Sequence, residues 1–338
     1  MNDNGIVDNY PSLVVSHTIE KNIFHFYSEN QVVLKIEVIS DSIIRVRYGT
    51  EGTLEEDFSY AIDKSYVGSY SHLELHETEK TFMIETKTVK CYINKSNLKL
   101  TFKDIDENVI NEDEKGYHWE EFHASGGNIV KQSKHVFEKE MYFGLGDKPH
   151  SLNVRGKRLQ IWGTDEYGFH KDTDPIYKNI PFYMGLHHGI GYGIFFDNTF
   201  RSFFDFASER NSACSFWAEG GEMNYYFIAG PDLVDVVKRY TMLTGTPDLP
   251  PLWSLGYHQC KWSYYPEANV REVTDKFREL RLPADAIYFD IDYMDGFRCF
   301  TWDKERFPDP KKLVSDLKAN GFKSIVIIDP GIKIDPEY

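Results

Sequence analysis

Hydrophobic and polar residues alternate in short runs over the first two thirds of the chain. The runs VLKIEV and IRVRY, within residues 32–39 and 43–48, place apolar side chains at every second position. This period of two predicts strands with one buried face. Similar runs predict further strands at residues 23–27, 81–85, 89–93, 98–102, 181–186, 192–197, 201–206 and 224–228. Many short strands with few helices indicate an antiparallel β-sandwich.

Two of these strands are joined by a short stretch that contains glycine, residues 187–191, which predicts a hairpin. The joint begins with the adjacent histidines His187 and His188. Neighbouring side chains of an extended chain face opposite ways, so we expect no chelation by this pair.

The pattern changes after residue 230. Apolar side chains at Leu233, Val236 and Tyr240 recur at helical spacing and predict a helix over 231–243. The Pro-rich residues 247–251 follow the helix and predict a domain boundary. We therefore expect one domain over residues 1–246 and a second over residues 247–338.

Predicted strands and helices alternate in the second domain. The predicted strands lie at 254–259, 286–291 and 325–328, and helices lie at 266–280 and from Pro310 onward. Such a β-α-β-α-β series implies parallel strands with right-handed crossovers, in a barrel or a doubly wound sheet. A closed barrel takes eight strands and about 250 residues. We therefore expect that the chain is truncated within this domain.

Composition and charge narrow the classes of function. The net charge of −15 makes nucleic acid and anionic membrane surfaces poor partners. The four cysteines are scattered without a C-x-x-C pair, which disfavours a disulfide framework and a zinc site. No apolar run approaches the length of a membrane span. The first twelve residues show no basic region followed by an apolar stretch, so we expect no signal peptide and a cytoplasmic location.

The predicted strand at 286–291 leads into three carboxylates, Asp290, Asp292 and Asp295. Because the carboxyl ends of parallel strands form the functional face of such folds, these groups are candidates for binding sugar hydroxyls. They could instead cap turns or pair with Arg298 and Lys304. A metal site of a phosphate-handling enzyme is a further alternative, which the bulky flanking residues disfavour.

Several motifs together resemble one known family. The acidic run DIDYMD at 290–295 is preceded by Trp262 in the run HQCKW. The other motifs are YFGLGDK at 142–148, WGTDEYG at 162–168, DPIYKNIPF at 174–182 and IVIIDP at 325–330. They resemble glycoside hydrolase family 31, although Asp147 stands where Glu is common in that family. The Asp-Ile-Asp-Tyr-Met form resembles the α-glucosidase branch.

The resemblance implies a multi-domain fold. An N-terminal antiparallel β-sandwich over 1–246 would be followed by the first three β-strands of an incomplete (β/α)8 barrel over 247–338. A loop of the sandwich near 162–182 would form one wall of the substrate pocket.

The resemblance also implies substrate-binding roles for five residues. Asp290 would bind hydroxyls of the sugar in the non-reducing subsite, and Ile291 would shape that subsite. Trp262 would pack against the same sugar, Ile327 would line the pocket floor, and Asp165 would reach in from the sandwich loop. As alternatives, Trp262 and Ile327 could be ordinary barrel packing, and Asp165 could stabilise its own loop.

The activity implied by the resemblance is retaining, exo-acting hydrolysis of terminal non-reducing α-linked glucose. One carboxylate attacks the anomeric carbon, and a second protonates the leaving oxygen and then activates water. The family carries its nucleophile in a Trp-x-Asp-Met-Asn-type run on the fourth barrel strand, and this sequence has no Asp-Met-Asn run. We therefore expect both catalytic carboxylates beyond Tyr338 and assign no catalytic residue.

The expected partner is an α-gluco-oligosaccharide, without a cofactor or a metal ion. Two alternatives stay open at this point. An α-glucosyltransferase of the same family would use a sugar in place of water as the acceptor. A non-catalytic carbohydrate-binding module would need no catalytic carboxylates.

Overall fold

The computed structural model describes residues 8–122, 127–331 and 334–336. The chain divides after Thr246 into two compact units, which we call the N-terminal unit and the C-terminal unit. The expectation of no signal peptide rests partly on residues 1–7, which lie outside the described residues. The strands of the N-terminal unit are β1 (Val14–Glu20), β2 (Ile23–Ser28), β3 (Val33–Ser40), β4 (Ile43–Gly49), β5 (Leu73–Glu77), β6 (Thr81–Thr86), β7 (Lys90–Asn94), β8 (Leu100–Lys103), β9 (Val109–Phe122), β10 (Gly127–His135), β11 (Met141–Gly146), β12 (Arg158–Ile161), β13 (Asn179–His187), β14 (Ile190–Phe196), β15 (Ser202–Phe206), β16 (Ala213–Ala218) and β17 (Met223–Ala229).

These strands form two antiparallel sheets. One sheet has the strand order β1-β2-β3-β4-β17-β14-β13-β11, and the other has the order β12-β15-β16-β10-β9-β8-β7-β6-β5. Apolar side chains of both sheets meet in a shared core, where Phe102 of β8 stacks on Phe227 of β17 with ring centroids 3.9 Å apart. Along β4, Ile44 lies in this core and its neighbour Arg45 lies on the outer face of the sheet. The predicted antiparallel β-sandwich is confirmed.

Helix α1 (Leu233–Thr244) covers part of the outer face of the sheet that contains β13 and β14. The ring of Tyr240 stacks on Phe182 of β13 with centroids 4.0 Å apart. The Asp232 side chain accepts a hydrogen bond from a first-turn backbone N–H and caps the helix. The helix predicted over 231–243 is therefore confirmed, with its first residue two positions later.

The hairpin of β13 and β14 has a tighter turn than the sequence predicts. His187 already pairs with Ile190, so the turn consists of His188 and Gly189 alone. Both have positive φ, 49° and 80°, as two-residue hairpin turns require. Because His188 is not extended, its Nδ1 lies 3.2 Å from Nδ1 of His187. The expectation of opposed side chains assumed an extended chain, and His188 does not have that conformation.

In the described residues, the C-terminal unit contains one parallel sheet, in which β18 (His258–Gln259), β19 (Ala286–Phe289) and β20 (Lys323–Val326) are neighbours in that order. Its longest helix in the described residues has 13 residues, and none of the described helices is long and apolar enough to cross a bilayer. The elements are a 3-10 helix (Leu252–Leu255), β18 (His258–Gln259), α2 (Glu267–Glu279), β19 (Ala286–Phe289), two 3-10 turns (Ile291–Tyr293 and Asp295–Phe297), α3 (Pro310–Ala319) and β20 (Lys323–Val326).

The predicted order of strands and helices in this unit is confirmed, but two strands are shorter than predicted. The strand predicted over 254–259 begins as a 3-10 helix and keeps only two strand residues. The strand predicted over 286–291 ends at Phe289, where Asp290 turns the chain. The unit has its own apolar core, in which Phe289 packs against Phe307 and α3 contributes Leu313.

Candidate functional site

The middle strand of the C-terminal unit ends at a carboxylate. Asp290 directly follows β19, and its side chain accepts a hydrogen bond of 2.8 Å from the backbone N–H of Ile291. This bond caps the 3-10 helix Ile291–Tyr293. The alternative that these carboxylates cap turns therefore applies to one oxygen of Asp290. Ile291 is half-buried and packs against the core of the unit.

The second carboxylate of the run holds an exposed tryptophan. The indole Nε1 of Trp262 donates a hydrogen bond of 3.0 Å to Oδ2 of Asp292. On its other side, Asp292 accepts a hydrogen bond of 3.1 Å at its backbone carbonyl from the Arg306 guanidinium. Trp262 is 77% exposed. Its edge is therefore fixed while most of its ring surface stays open to a ligand.

The ends of all three parallel strands lie side by side. Burial, followed by the charge of Asp290, raises the pKa of the Cys260 thiol, which directly follows β18. Ile327, the residue after β20, donates its backbone N–H to the carbonyl of Phe289 at 2.9 Å. The structure thus brings Asp290 and Ile327 to neighbouring strand ends, with Trp262 two residues beyond Cys260. We call this group of residues the strand-end site.

The third carboxylate of the run, Asp295, and its suggested partner Arg298 make other contacts. Asp295 is exposed, and its backbone N–H donates to the Thr301 hydroxyl at 3.0 Å. Arg298 Nε binds Oδ2 of Asp335 at 2.8 Å, so its ion pair is not with the Asp290 carboxylate. In the described part of the chain, no group of three or more His, Cys, Asp or Glu side chains could hold a metal ion. The metal alternative therefore gains no support from the geometry.

Asp165 lies in the N-terminal unit, in the loop between β12 and β13, which we call the pocket loop. Its carboxylate is exposed. Partial desolvation, followed by a hydrogen bond to Asp165, raises the pKa of the Tyr177 phenol near the other end of the loop. Trp162 and Tyr167 of the same loop are exposed. The pocket loop thus carries the exposed carboxylate of Asp165 together with exposed aromatic rings.

The pocket loop is fastened to the sandwich by a buried lysine. Lys148 Nζ donates to Oδ1 of Asp174 at 2.6 Å and to the carbonyl of Gln160 at 2.6 Å. The other oxygen of Asp174 accepts the Gln160 backbone N–H at 2.6 Å. Only 3% of the Lys148 side chain is exposed. The motif YFGLGDK contains this lysine, but its pattern alone assigns the lysine no role.

A second, exposed cluster fastens the same loop. Oδ1 of Asp172 lies 2.8 Å from Lys157 Nζ and 2.7 Å from Nδ1 of His150. The hydrogen bond from Lys157 is the main cause that lowers the pKa of Asp172 to about 2, and the bond from His150 adds to it. Both clusters attach the pocket loop to neighbouring segments of the N-terminal unit.

Two family descriptions match the chain. Residues 33–205 match the Glycosyl hydrolase 31 N-terminal galactose mutarotase-like domain. Residues 247–338 match the Glycosyl hydrolases family 31 TIM-barrel domain. The first match covers more than half of the chain, and the second covers the whole C-terminal unit.

Curated relatives with similar sequences are α-glucosidases. Alpha-glucosidase 2 of Bacillus thermoamyloliquefaciens is 38% identical over 325 residues, which are 96% of this chain and 40% of that protein. The alpha-glucosidase of Saccharolobus solfataricus is 36% identical over 212 residues, which are 63% of this chain and 31% of that protein. The chain therefore spans less than half the length of the curated relatives that it matches.

Solved structures show the same fold. A glycoside hydrolase family 31 dextranase of Flavobacterium johnsoniae, complexed with isomaltotriose or with glucose, superposes with a TM-score of 0.86 at 32% identity. The match covers 94% of this chain and 38% of the dextranase. A family 31 alpha-xylosidase from a soil metagenome has a TM-score of 0.78 at 18% identity, over 92% of this chain and 47% of that one. That second likeness concerns the fold alone.

Proposed function

The chain belongs to glycoside hydrolase family 31, and from this membership we propose that its protein is a retaining, exo-acting α-glucosidase. It would release terminal non-reducing glucose from α-linked gluco-oligosaccharides, as the names of its curated relatives suggest. The observation that carries the proposal is the strand-end site, where Asp290 and the pinned indole of Trp262 lie at neighbouring parallel strand ends. The carboxyl ends of barrel strands are where enzymes of this architecture bind substrate.

The roles within the site follow from its chemistry. An ionised carboxylate such as Asp290 accepts hydrogen bonds from two sugar hydroxyls and so fixes a pyranose ring. The open face of Trp262 covers the apolar C–H face of the same ring. Ile327 supplies apolar surface at the next strand end. Ile291, which is half-buried against the core of the C-terminal unit, would shape the same subsite. Separately, the exposed carboxylate of Asp165 in the pocket loop of the N-terminal unit is proposed to bind sugar hydroxyls.

Chemistry in this family needs two further carboxylates, a nucleophile and an acid/base. We propose that the full-length protein carries both carboxylates in a part that corresponds to the unmatched 60% of alpha-glucosidase 2. The 338-residue chain would then bind sugar without hydrolysing it.

Proton NMR of the full-length protein acting on p-nitrophenyl α-glucoside tests the retaining mechanism, because glucose then comes only from the sugar whose glycosidic bond is cleaved. Double displacement releases the α-anomer of glucose first, and the β-anomer then grows in by mutarotation. Early appearance of β-glucose would refute a retaining mechanism. With maltopentaose as the substrate, release of shorter oligosaccharides with no early glucose would refute exo action.

A dextranase is the second candidate, because a family 31 dextranase is 32% identical over most of the chain. Parallel assays on maltotriose, isomaltotriose and dextran separate the two activities. Fast cleavage within dextran with slow release of glucose would favour the dextranase. The same assays detect an α-glucosyltransferase, since longer oligosaccharides would then accumulate at high substrate concentration.

A further inference from the structure

The N-terminal unit contains a cavity that the strand-end site and the pocket loop do not explain. Its volume is about 440 Å³, a size typical of sites for small molecules. It opens on the outer face of the sheet where β4 and β17 lie side by side. Three aromatic side chains line it, Phe58, Tyr60 and Phe200, and they are 57%, 84% and 49% exposed. A group of exposed aromatic rings around a cavity is typical of a binding surface.

The rings are held in place by the surrounding chain. Phe58 and Tyr60 meet edge to face, with ring centroids 4.7 Å apart. Phe200 lies directly over Gly220, where an added Cβ would come within 2.6 Å of the ring. The Ser59 hydroxyl donates to Oδ1 of Asp197 at 3.0 Å and so joins the two loops that carry the rings. The cavity is therefore formed before a ligand arrives.

The floor of the cavity is polar but internally paired. Arg45 donates two hydrogen bonds of 2.9 and 2.8 Å to the carboxylate of Asp57. Arg47 donates two hydrogen bonds of 2.8 and 2.7 Å to the carboxylate of Glu222. The lining contains two arginines and four carboxylates, those of residues 55, 56, 197 and 222. An anionic ligand would be repelled by this excess of negative charge, so a neutral ligand fits better.

A second cavity of about 450 Å³ adjoins the first and shares Tyr60 and Phe200 with it. Its lining extends to Trp162, in the pocket loop that carries Asp165. The two cavities together form a groove of the N-terminal unit, lined by the four rings of Phe58, Tyr60, Phe200 and Trp162. A row of rings suits a chain of several pyranoses better than a single sugar, because each ring can cover one apolar sugar face.

We propose that this groove is a second carbohydrate-binding site, which binds the chain of an α-gluco-oligosaccharide by stacking on these four rings. The rings and the charge indicate a neutral pyranose chain. The choice of an α-glucan rests on the function proposed above.

Isothermal titration calorimetry of the 338-residue chain with maltopentaose and isomaltopentaose tests the groove. We expect binding of at least one of them, and affinity that falls from pentasaccharide to disaccharide. Tyr60→Ala and Phe200→Ala should each raise Kd about tenfold, as loss of a central aromatic anchor does. Tyr70→Ala is the matched control, because Tyr70 is 41% exposed on the same unit but lies outside the groove, and its Kd should equal that of the wild type. Urea unfolding of each variant shows whether the fold is kept.

Three results would overturn the proposal. One is no binding of either pentasaccharide at about 10 mM, a concentration about ten times the Kd of a weak, 1 mM complex. Another is binding that survives Tyr60→Ala and Phe200→Ala but is lost in Asp290→Ala, which would locate all sugar at the strand-end site and leave the proposed function intact. The third is equal affinity for cellopentaose, which would remove the preference for α-glucans. Groove binding without α-glucosidase activity of the full-length protein would instead count against the proposed function alone.

Discussion

At the scale of single residues, the strand-end site depends on one hydrogen bond across the sheet. Trp262 and Asp292 are thirty positions apart, and their contact of 3.0 Å exists because β18 and β19 are parallel neighbours. The bond fixes the edge of the indole and leaves most of the side chain exposed. We therefore expect the face and the N–H donor of Trp262 to contribute separately to sugar binding.

Substitutions of Trp262 in the full-length protein separate them. Trp262→Ala should raise KM for maltose about tenfold by removing the ring, a loss on the scale of one aromatic anchor. Trp262→Phe keeps an apolar face without the N–H donor, so we expect a smaller rise. Steady-state kinetics measure both, and Phe300→Ala, at an 84% exposed ring of the same unit, is the control. Equal KM for Trp262→Ala and the wild type would show that the indole only packs.

The Asp172 cluster predicts a pH dependence of stability. The pKa of Asp172 is lowered to about 2 in the fold, chiefly by Lys157, from an ordinary value of 3.8. A carboxylate with a lowered pKa stabilises the fold fully above its unfolded pKa, and this contribution is lost as the pH falls through its folded pKa. The wild type should therefore lose its advantage over Asp172→Asn between about pH 4 and pH 2. Urea unfolding over this range measures the difference, and a constant difference would contradict the account.

Individual site residues were predictable to different degrees. The position of Asp290 follows from a rule, since a carboxylate directly after a buried strand reaches the functional edge of a parallel sheet. The bond between Trp262 and Asp292 was not predictable, because it depends on strand order and on the turn after β19. The role of Lys148 was hidden for a similar reason, since its partner Asp174 lies 26 positions away.

At the scale of elements, a buried ion pair attaches the pocket loop to the sandwich. Lys148 and Asp174 form an ion pair with side chains 3% and 14% exposed. Removal of one member of a buried pair leaves the other without its counter-charge, which costs more than the pair itself contributes. The exposed pair of Lys178 and Asp147, with side chains 65% and 61% exposed, offers a contrast in the same region.

Lys148→Met should lower the free energy of unfolding of the N-terminal unit by about 3 kcal/mol. Lys178→Met removes an exposed pair and should cost less than about 1 kcal/mol. Urea unfolding measures both, and limited proteolysis should cut the pocket loop faster in Lys148→Met alone. Similar small losses in the two variants would show that the buried pair does not fasten the loop.

Most strands with clean alternation were predictable, whereas β9, which carries a buried charged residue, was not. β9 escaped prediction because its sequence, VINEDEKGYHWEEF, reads as a charged loop. In the fold, Asp113 of β9 is fully buried and pairs with the equally buried Lys134 of β10 at 2.6 Å. The pair is possible only because Gln132 and Tyr225 complete its hydrogen bonds. A local pattern cannot show that a charged side chain has its partner on the next strand.

At the scale of the whole molecule, the chain consists of two units with separate apolar cores. The sandwich and the parallel unit were predictable because the alternating runs end before residue 231, and strands and helices alternate after the Pro-rich residues 247–251. The lengths of the parallel strands were less predictable, since a continuous apolar run has no internal mark of where pairing stops. β18 keeps two residues, and β19 ends one residue before Asp290.

Asp290 is proposed to bind the terminal glucose of an α-glucoside. Its carboxylate also caps a 3-10 helix, so a substitution must separate binding from folding. Asp290→Asn keeps a capping oxygen and loses the charge. Asp309→Asn makes the same change at the N-cap of α3, and it serves as the control.

The most direct measurement is kcat/KM for p-nitrophenyl α-glucoside with the full-length protein carrying Asp290→Asn, compared with Asp309→Asn and the wild type. We predict a loss of about 2–4 kcal/mol in transition-state stabilisation for Asp290→Asn, the scale for charged hydrogen bonds to a sugar. The Asp309→Asn protein should match the wild type. Wild-type kinetics in the Asp290→Asn protein would contradict the account, because the carboxylate would then serve the helix and not the sugar.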